Sequence, residues 1–196
     1  MSARPYHHGS LRSALIEQAQ RTVDERGVQA LSLRELAREV GVSHAAPRRH
    51  FPHRQALLDA LAEDGFERLG DELGHAAQDA GPSFGARLHA LAQAYISFAT
   101  RQPALHELMF AGKQRTGADR VHEAADRAFA ASLEVIAEAQ AAGELRGGEP
   151  ARVATVVLAT LQGLAAMANG GMIEGAPVSA VVTEAVDQLL DGLHPR

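Results

Sequence analysis

The segment from Leu31 to Leu58 constrains the fold more than any other part of this chain, because it has the pattern of a helix, a tight turn and a second, shorter helix. Ser32 stands three residues before Glu35, which is the spacing of a capping box at a helix start. Apolar residues then recur at helical spacing, and Gly41 can take the left-handed conformation that ends a helix. The pattern predicts a helix from about Ser32 to Val40.

A second helix is predicted from about His44 to Phe51, with Ser43 as its N-cap. Such a short helix is not stable alone and must pack against its neighbours. Pro47 removes a backbone donor about four residues into it, so we expect a tight or bent first turn. Basic residues fill its last turn. A short basic helix of this kind can present its end to a DNA groove, so the segment indicates a DNA-reading head.

The net charge of −5 conceals a basic N-terminal part. Residues 1–58 hold nine arginines and five carboxylates, whereas residues 59–196 hold ten lysines and arginines and 19 carboxylates. A basic head on an acidic body suits a protein that contacts phosphates at one end only. A solvated surface could carry the same modest excess, so the charge supports DNA binding mainly because it coincides with the helix–turn–helix pattern.

Helical periodicity continues through the rest of the chain, and neither alternating β-branched residues nor an Asn-Gly turn predicts a strand. We therefore predict an all-α fold of about nine helices. The predicted helices cover about residues 9–26, 32–40, 44–51, 53–80, 83–101, 103–111, 118–142, 150–168 and 178–193. The first three form an N-terminal helix–turn–helix DNA-binding domain, residues 1–53, and the others form a C-terminal helical domain, residues 54–196.

Composition argues against several other classes of site. The chain has no cysteine, which excludes disulfides and thiolate metal sites. His7 and His8 have no carboxylate or cysteine at a suitable spacing, so we expect an arm near DNA and no metal. No local catalytic signature is present, and we expect neither enzyme activity nor a cofactor. A polar N-terminus without a run of about 18 apolar residues predicts a cytoplasmic protein that does not enter the membrane.

Four short motifs stand in a fixed order in the first third of the chain. Tyr6–Arg12 has the sequence YHHGSLR, and Gly27–Leu36 has the pattern G-x-x-x-[LF]-[ST]-x-x-x-[LI]. Gly41–Ser43 and His50–Pro52 follow as a turn and a helix exit. In order and spacing these motifs resemble the TetR family of bacterial transcriptional regulators. The resemblance covers residues 6–61, and the nine-helix layout agrees with it.

The resemblance implies that one short surface contacts DNA. Family members face base edges in the major groove at the positions that here hold His44, Ala45, Ala46 and Arg48. They contact phosphates at the positions that here hold Ser43, Arg49, His50 and Arg54.

Three of these positions differ from the family's usual residue or allow a second interpretation. Arg48 stands where the family usually has tyrosine, and its guanidinium could fork onto guanine O6 and N7 or bridge two phosphates. His50 could contact a phosphate, or it could pack and hydrogen-bond beneath Phe51. At the position of Arg54 the family usually has a lysine that clamps the DNA backbone.

The resemblance also implies that the C-terminal domain binds a small ligand and pairs two copies of the chain. Family members dimerise through their last two helices, here about residues 150–168 and 178–193. Ala159, Gly163 and Ala166 would allow another helix to approach closely, although a buried core helix has the same composition and both interpretations can hold. The residues predicted to line an apolar ligand pocket are Tyr95, Phe98, Met109, Phe110, Phe129, Gln162 and Met167. For each of them ordinary core packing is the alternative.

Together these observations predict a homodimeric repressor that binds a palindromic double-stranded DNA operator and is released by a small apolar ligand. An activator, or a regulator without a ligand, would fit the same residues. An α-helical small-molecule carrier or enzyme would use the C-terminal helices but would leave Arg48, Arg49 and Arg54 unexplained. The sequence identifies neither the operator, nor the regulated genes, nor the ligand.

Overall fold

The computed structural model describes residues 8–145 and 148–193. Over these residues the prediction of an all-α fold is confirmed, with eight α-helices, two short 3₁₀ helices and no strand. The α-helices are α1 (His8–Arg26), α2 (Leu33–Val40), α3 (Arg54–Asp79), α4 (Phe84–Arg101), α5 (Pro103–Lys113), α6 (Asp119–Ala141), α7 (Pro150–Asn169) and α8 (Val178–Leu193). The 3₁₀ helices are Val28–Ala30 and Pro47–Arg49. Of the arm predicted at His7 and His8, His7 lies outside the described residues and His8 is the first residue of α1.

Apolar faces at helical spacing form the core of the N-terminal part. Leu15, Ala19 and Val23 of α1 are at most 1% exposed and stand four residues apart in the sequence. Leu36 and Ala37 are the buried residues of α2. Burial of Leu36 and Ala37 stabilises α2, which has only eight residues and is too short to be stable as an isolated helix.

Backbone bonds end α2 where the sequence predicts its end. Gly41 adopts φ 77° and ψ 31°, a left-handed conformation that glycine reaches without steric strain. The N–H of Val42 donates to Ala37 O at 2.9 Å, and the N–H of Gly41 donates to Arg38 O at 3.2 Å. This Schellman arrangement satisfies two carbonyls that the helix would leave unpaired. At the other end Ser32 occupies the N-cap position, but its side chain makes no capping bond.

The second helix of the motif differs from the prediction, because residues 44–50 form no α-helix. They consist of turns and the 3₁₀ helix Pro47–Arg49, and we call them the recognition segment. Their backbone bonds span three residues, from Ala46 N to Ser43 O at 2.9 Å and from Arg49 N to Ala46 O at 3.2 Å. The proline has no N–H, so it cannot donate the bond that would continue a regular α-helical ladder.

The chain forms two compact units, and each unit is built from two segments that are not consecutive in the sequence. One contains the described residues up to Gly65 together with Ala104–Ala124. The other contains Phe66–Pro103 and the described residues from Ala125 onward. The first unit therefore combines the helix–turn–helix with the first part of α3, with α5 after Pro103 and with the first six residues of α6. A functional domain boundary after residue 53 stays a prediction.

In the second unit, α4 packs against both α7 and α8. Polar contacts join α4 to α8: His89 Nε2 lies 2.9 Å from Asp187 Oδ1, and Gln93 Nε2 donates to Ser179 O at 2.8 Å. By length and composition alone α7 could cross a membrane, since its most apolar window has a mean hydropathy of 1.5, and only 17% of that window is buried. This is weak evidence for a membrane, because an apolar interface helix has the same composition.

Helices α3 and α6 come unusually close at Gly70. A Cβ built on Gly70 would lie 2.9 Å from Cα of Ala128, which is backbone and cannot rotate away. A Cβ built on Gly74, one turn further along α3, would meet nothing within 4 Å. The two glycines therefore form a matched pair in one helix, with one site closed and the other open.

Gly70→Ala is expected to destabilise the protein by about 1–3 kcal/mol, because the added methyl group forces α3 and α6 apart. Gly74→Ala is expected to stabilise it by up to about 1 kcal/mol, since alanine is the better helix former and the space is free. Urea denaturation of the two variants measures both changes. If the Gly70→Ala and Gly74→Ala proteins had the same free energy of unfolding, that result would contradict the close approach of α3 to α6 at Gly70.

Candidate nucleic-acid interface

The recognition segment presents a basic, solvent-accessible surface on the first unit. Its exposed residues are His44, Ala45, Arg48 and Arg49. Ala46 and His50 are half-buried, and Pro47 is the buried residue of the 3₁₀ helix. Ser43, immediately before the segment, is exposed. The two adjacent arginines can therefore reach a polyanion without unpacking the core.

Phe51 anchors the end of the segment in the core. Its side chain is only 2% exposed, and its N–H donates to Pro47 O at 2.8 Å. The Arg12 guanidinium lies over its ring, with Cζ 5.6 Å from the centroid. The His50 ring lies 6.4 Å from the Phe51 ring, at an angle of 53°. His50 therefore packs beside the anchor while part of its surface stays accessible, and its phosphate contact stays a prediction.

Arg54 begins α3 and faces the protein with two of its nitrogens. Nε donates to Leu31 O at 3.1 Å, and one Nη donates to Val28 O at 2.6 Å. The neighbouring His53 caps the same helix, because its Nδ1 accepts the N–H of Ala56 at 3.1 Å. Nothing in the sequence pattern indicated the two carbonyl bonds of Arg54. Its predicted phosphate contact has to compete with them and stays a prediction.

Two of the residues predicted for a ligand pocket come together in the second unit. The Tyr95 ring centroid lies 6.5 Å from that of Phe129, which in turn lies 6.4 Å from that of Phe66. Burial raises the pKa of the Tyr95 hydroxyl, so it stays neutral in the physiological range. Phe66 was missed at the sequence level, although its spacing of three and seven residues from Leu69 and Leu73 on α3 signals the same buried face.

The remaining predicted pocket residues are distributed over both units. Phe98 is buried in α4, with the Arg68 guanidinium 5.9 Å from its ring centroid. Gln162 is half-buried on α7, and Met167 on the same helix is 41% exposed. Met109 is buried and Phe110 is half-buried in the first unit. Their membership of one ligand site stays a prediction.

In the first unit Phe110 has a buried histidine beside it. The His106 ring centroid lies 4.9 Å from that of Phe110. Burial lowers the pKa of His106, because the charged imidazolium is poorly solvated there. The same unit holds a cleft of about 320 Å³ whose walls include Phe51, Asp59 and Arg120. None of the residues predicted for a ligand pocket lines it.

No group of three or more metal-ligating side chains exists among residues 11–145 and 148–193. The exposed arginines of the recognition segment are Arg48 and Arg49, and their guanidinium groups can only donate hydrogen bonds. Guanidinium groups suit phosphate oxygens and the acceptors of guanine. Arranged on an exposed segment that is anchored by buried Pro47 and Phe51, they can bind a nucleic-acid duplex.

Sequence comparison identifies two regions of known type. Residues 15–61 match "Bacterial regulatory proteins, tetR family". Residues 88–193 match "Tetracyclin repressor-like, C-terminal domain". The second match alone covers more than half of the chain, and the first covers the helix–turn–helix described above.

Curated relatives include a transcriptional regulator and a nucleoid occlusion factor. The HTH-type transcriptional regulator Rv1816 of Mycobacterium tuberculosis is 28% identical over 140 residues, which cover 69% of this chain and 60% of that protein. The chain therefore spans less than two thirds of the length of this relative. The nucleoid occlusion factor SlmA of Yersinia enterocolitica is 31% identical over 157 residues, which cover 74% of this chain and 76% of that protein.

Solved structures share the whole fold. A protein of unknown function from Rhodococcus sp. RHA1 superposes with a TM-score of 0.92 at 49% identity, over 98% of this chain and 100% of that one. AibR, solved in complex with isovaleryl coenzyme A and operator DNA, superposes with a TM-score of 0.64 at 20% identity, over 94% of this chain and 98% of that one. At that identity the second likeness concerns the fold alone.

Proposed function

We propose a specific role for this chain, which belongs to the TetR family of bacterial transcriptional regulators. It binds a palindromic DNA operator as a homodimer. It represses transcription until a small ligand releases it from the DNA. TetR-family regulators carry a DNA-binding helix–turn–helix and are generally not enzymes. The observation that carries the proposal is the exposed basic recognition segment, held on the core by buried Pro47 and Phe51. We place the protein in the cytoplasm, with the DNA that it would bind.

The recognition segment would supply both kinds of DNA contact. Base contacts set sequence preference, while phosphate contacts set register and most of the affinity. We assign base edges to the exposed first turn and to Arg48, whose planar fork suits guanine O6 and N7. We assign phosphates to Ser43, Arg49 and His50. Arg48 and Arg49 are adjacent and both exposed, so their side chains can serve different roles.

Homodimerisation is supported by an apolar face of α7 that is exposed to solvent in the single chain. Val156 is 53% exposed, and Ala159, Gly163 and Met167 are exposed on the same side at helical spacing. A Cβ built on Gly163 would meet nothing within 4 Å, so this face is open in the single chain. Apolar surface of this kind is stabilised by burial against a second copy. Together with α8 it would form the interface between two chains.

Ligand release is supported by the aromatic cluster of the second unit. Tyr95, Phe129 and Phe66 lie around one region of buried apolar surface. An apolar ligand that inserts there would gain hydrophobic contact, and a neutral tyrosine hydroxyl could orient it. TetR-family regulators bind ligands in the C-terminal domain, and AibR, which shares this fold, was solved with a small ligand, isovaleryl coenzyme A, and with operator DNA. For release, the ligand must bind more tightly to the conformation that binds DNA less tightly. By linkage, bound DNA then lowers the affinity for the ligand by the same factor.

Selection of the purified protein against random duplex DNA tests the proposal. We expect enrichment of a palindrome whose half-sites lie about one helical turn, or a multiple of it, apart. The recovered duplex then serves as the probe in a search for small molecules that release it. A folded dimeric protein that enriches no sequence would contradict sequence-specific binding, and an enriched site without two-fold symmetry would contradict the dimer.

A further inference from the structure

Arg54 makes contacts that differ from those expected of a residue reaching for DNA. It is half-buried at the start of α3. Its Nε and one Nη donate to Leu31 O and Val28 O, at 3.1 and 2.6 Å. Two of the five N–H groups of its guanidinium are therefore bound to the protein, and both belong to the side of the fork formed by Nε and one Nη.

The two carbonyls belong to the connection between α1 and α2. Val28 opens the 3₁₀ helix that follows Gly27, and Leu31 is its C-cap. The N–H of Leu31 already donates to Val28 O at 3.2 Å, so Arg54 adds a second donor to that oxygen and a donor to Leu31 O. Bonds from a charged donor are shorter and stronger than neutral ones. They fasten the α1–α2 connection to the first turn of α3.

This fastening reaches the recognition segment from both sides. The recognition segment follows α2 through the turn at Gly41 and precedes α3 through Phe51. Arg54, at the start of α3, bonds to Leu31, which lies just before α2. It therefore links the two helices that flank the segment. A planar guanidinium presents its donors in a fixed fork, so it can hold two carbonyls three residues apart. The ammonium of a lysine is a point charge with freely rotating donors, and it would not reproduce this geometry.

We propose that Arg54 is a positioning residue that fixes the α1–α2 connection against α3 and thereby holds the recognition segment in its binding geometry, and that it is not a phosphate ligand. The effect on DNA binding rests on the proposed function, whereas the fastening itself exists in the free protein. The two parts can therefore be tested separately.

Hydrogen exchange of the free protein tests the fastening. The test variant is Arg54→Lys, which keeps the positive charge, and the control is Arg49→Lys on the exposed part of the recognition segment. We expect the amides of Ala30 and Leu31 to exchange about tenfold faster or more in Arg54→Lys and to be unchanged in Arg49→Lys. Unchanged exchange in Arg54→Lys would overturn the proposal. If the variant unfolds locally, these amides lose protection while those of α7 keep theirs, which supports it.

The salt dependence of operator binding tests the role toward DNA. The affinity for DNA falls as salt rises, and removing a phosphate contact reduces the magnitude of the slope of log affinity against log salt by about one. We expect Arg54→Ala to weaken binding without a change in that slope, whereas Arg49→Ala lowers it. A reduced slope in Arg54→Ala would identify Arg54 as a phosphate ligand and contradict the proposal. Absence of sequence-specific binding in the unsubstituted protein would instead contradict the proposed function, and the exchange result would stand.

Discussion

Val156→Glu is expected to leave the protein monomeric and to lower its operator affinity by about 10²–10⁴-fold. In the proposed homodimer the exposed face of α7 is buried against its counterpart, and a carboxylate there would lose its solvation without gaining a partner. Two joined heads bind the second half-site at a high effective concentration, and a lone head loses that advantage. Sedimentation measures the change in mass, and titration of a palindromic duplex measures the loss of affinity.

Leu133→Glu on α6 is the matched control. Leu133 is a large hydrophobic residue, 36% exposed, on a helix outside the proposed interface. The same change from apolar side chain to carboxylate should leave its variant dimeric, with normal operator binding. If both variants stayed dimeric the interface would have to lie elsewhere, and if both became monomeric the effect would not be specific to α7.

Arg48→Ala is expected to change which sequences the protein prefers. A bidentate arginine–guanine contact contributes about 1–3 kcal/mol, so discrimination at one base pair of each half-site should fall by about 5–150-fold. Arg49→Ala should instead weaken all duplexes to a similar extent, because a phosphate contact carries no sequence information. Repeating the random-duplex selection with each variant separates the two effects.

Arg127→Ala serves as the control for loss of an arginine. Its side chain is 62% exposed on α6, far along the chain from the recognition segment, and its Glu67 partner is equally exposed at 3.8 Å. We expect its selected sequences and affinity to match those of the unsubstituted protein. Identical preferences for Arg48→Ala and the unsubstituted protein, with a uniform loss of affinity, would remove Arg48 from the base-reading set.

Local sequence signals predicted most of the fold. The first helix was expected over about residues 9–26 and runs from His8 to Arg26, because its apolar spacing and the glycine that follows it are local. Gly41 ends α2 as predicted for the same reason. The recognition segment was predicted as a helix and is not one. Pro47 was recognised as a missing donor, but its full effect depends on how the segment packs, which local periodicity does not encode.

The candidate site was predictable only where its residues are neighbours in the chain. Residues 43–50 form one surface because they are consecutive, so recognising the motif was enough to locate them. Arg54 bonds to Val28, 26 residues away, and no spacing rule links the two. The aromatic cluster similarly needs α3, α4 and α6 to meet, so the spacing of Phe66 can place it on a buried face but cannot place it beside Phe129. Tertiary packing, which a single sequence does not specify, decides such contacts.

Pro47 is buried, whereas four of its neighbours in the recognition segment are exposed at the surface. Substitutions at exposed positions usually alter stability by no more than about 0.5 kcal/mol. His44, Ala45, Arg48 and Arg49 can therefore diversify while the scaffold that carries them stays intact. A lineage of such proteins can acquire new target sites by point mutation without first becoming more stable. A library randomised at these four positions, with the proline retained, should consist mainly of folded proteins that differ in the DNA they choose.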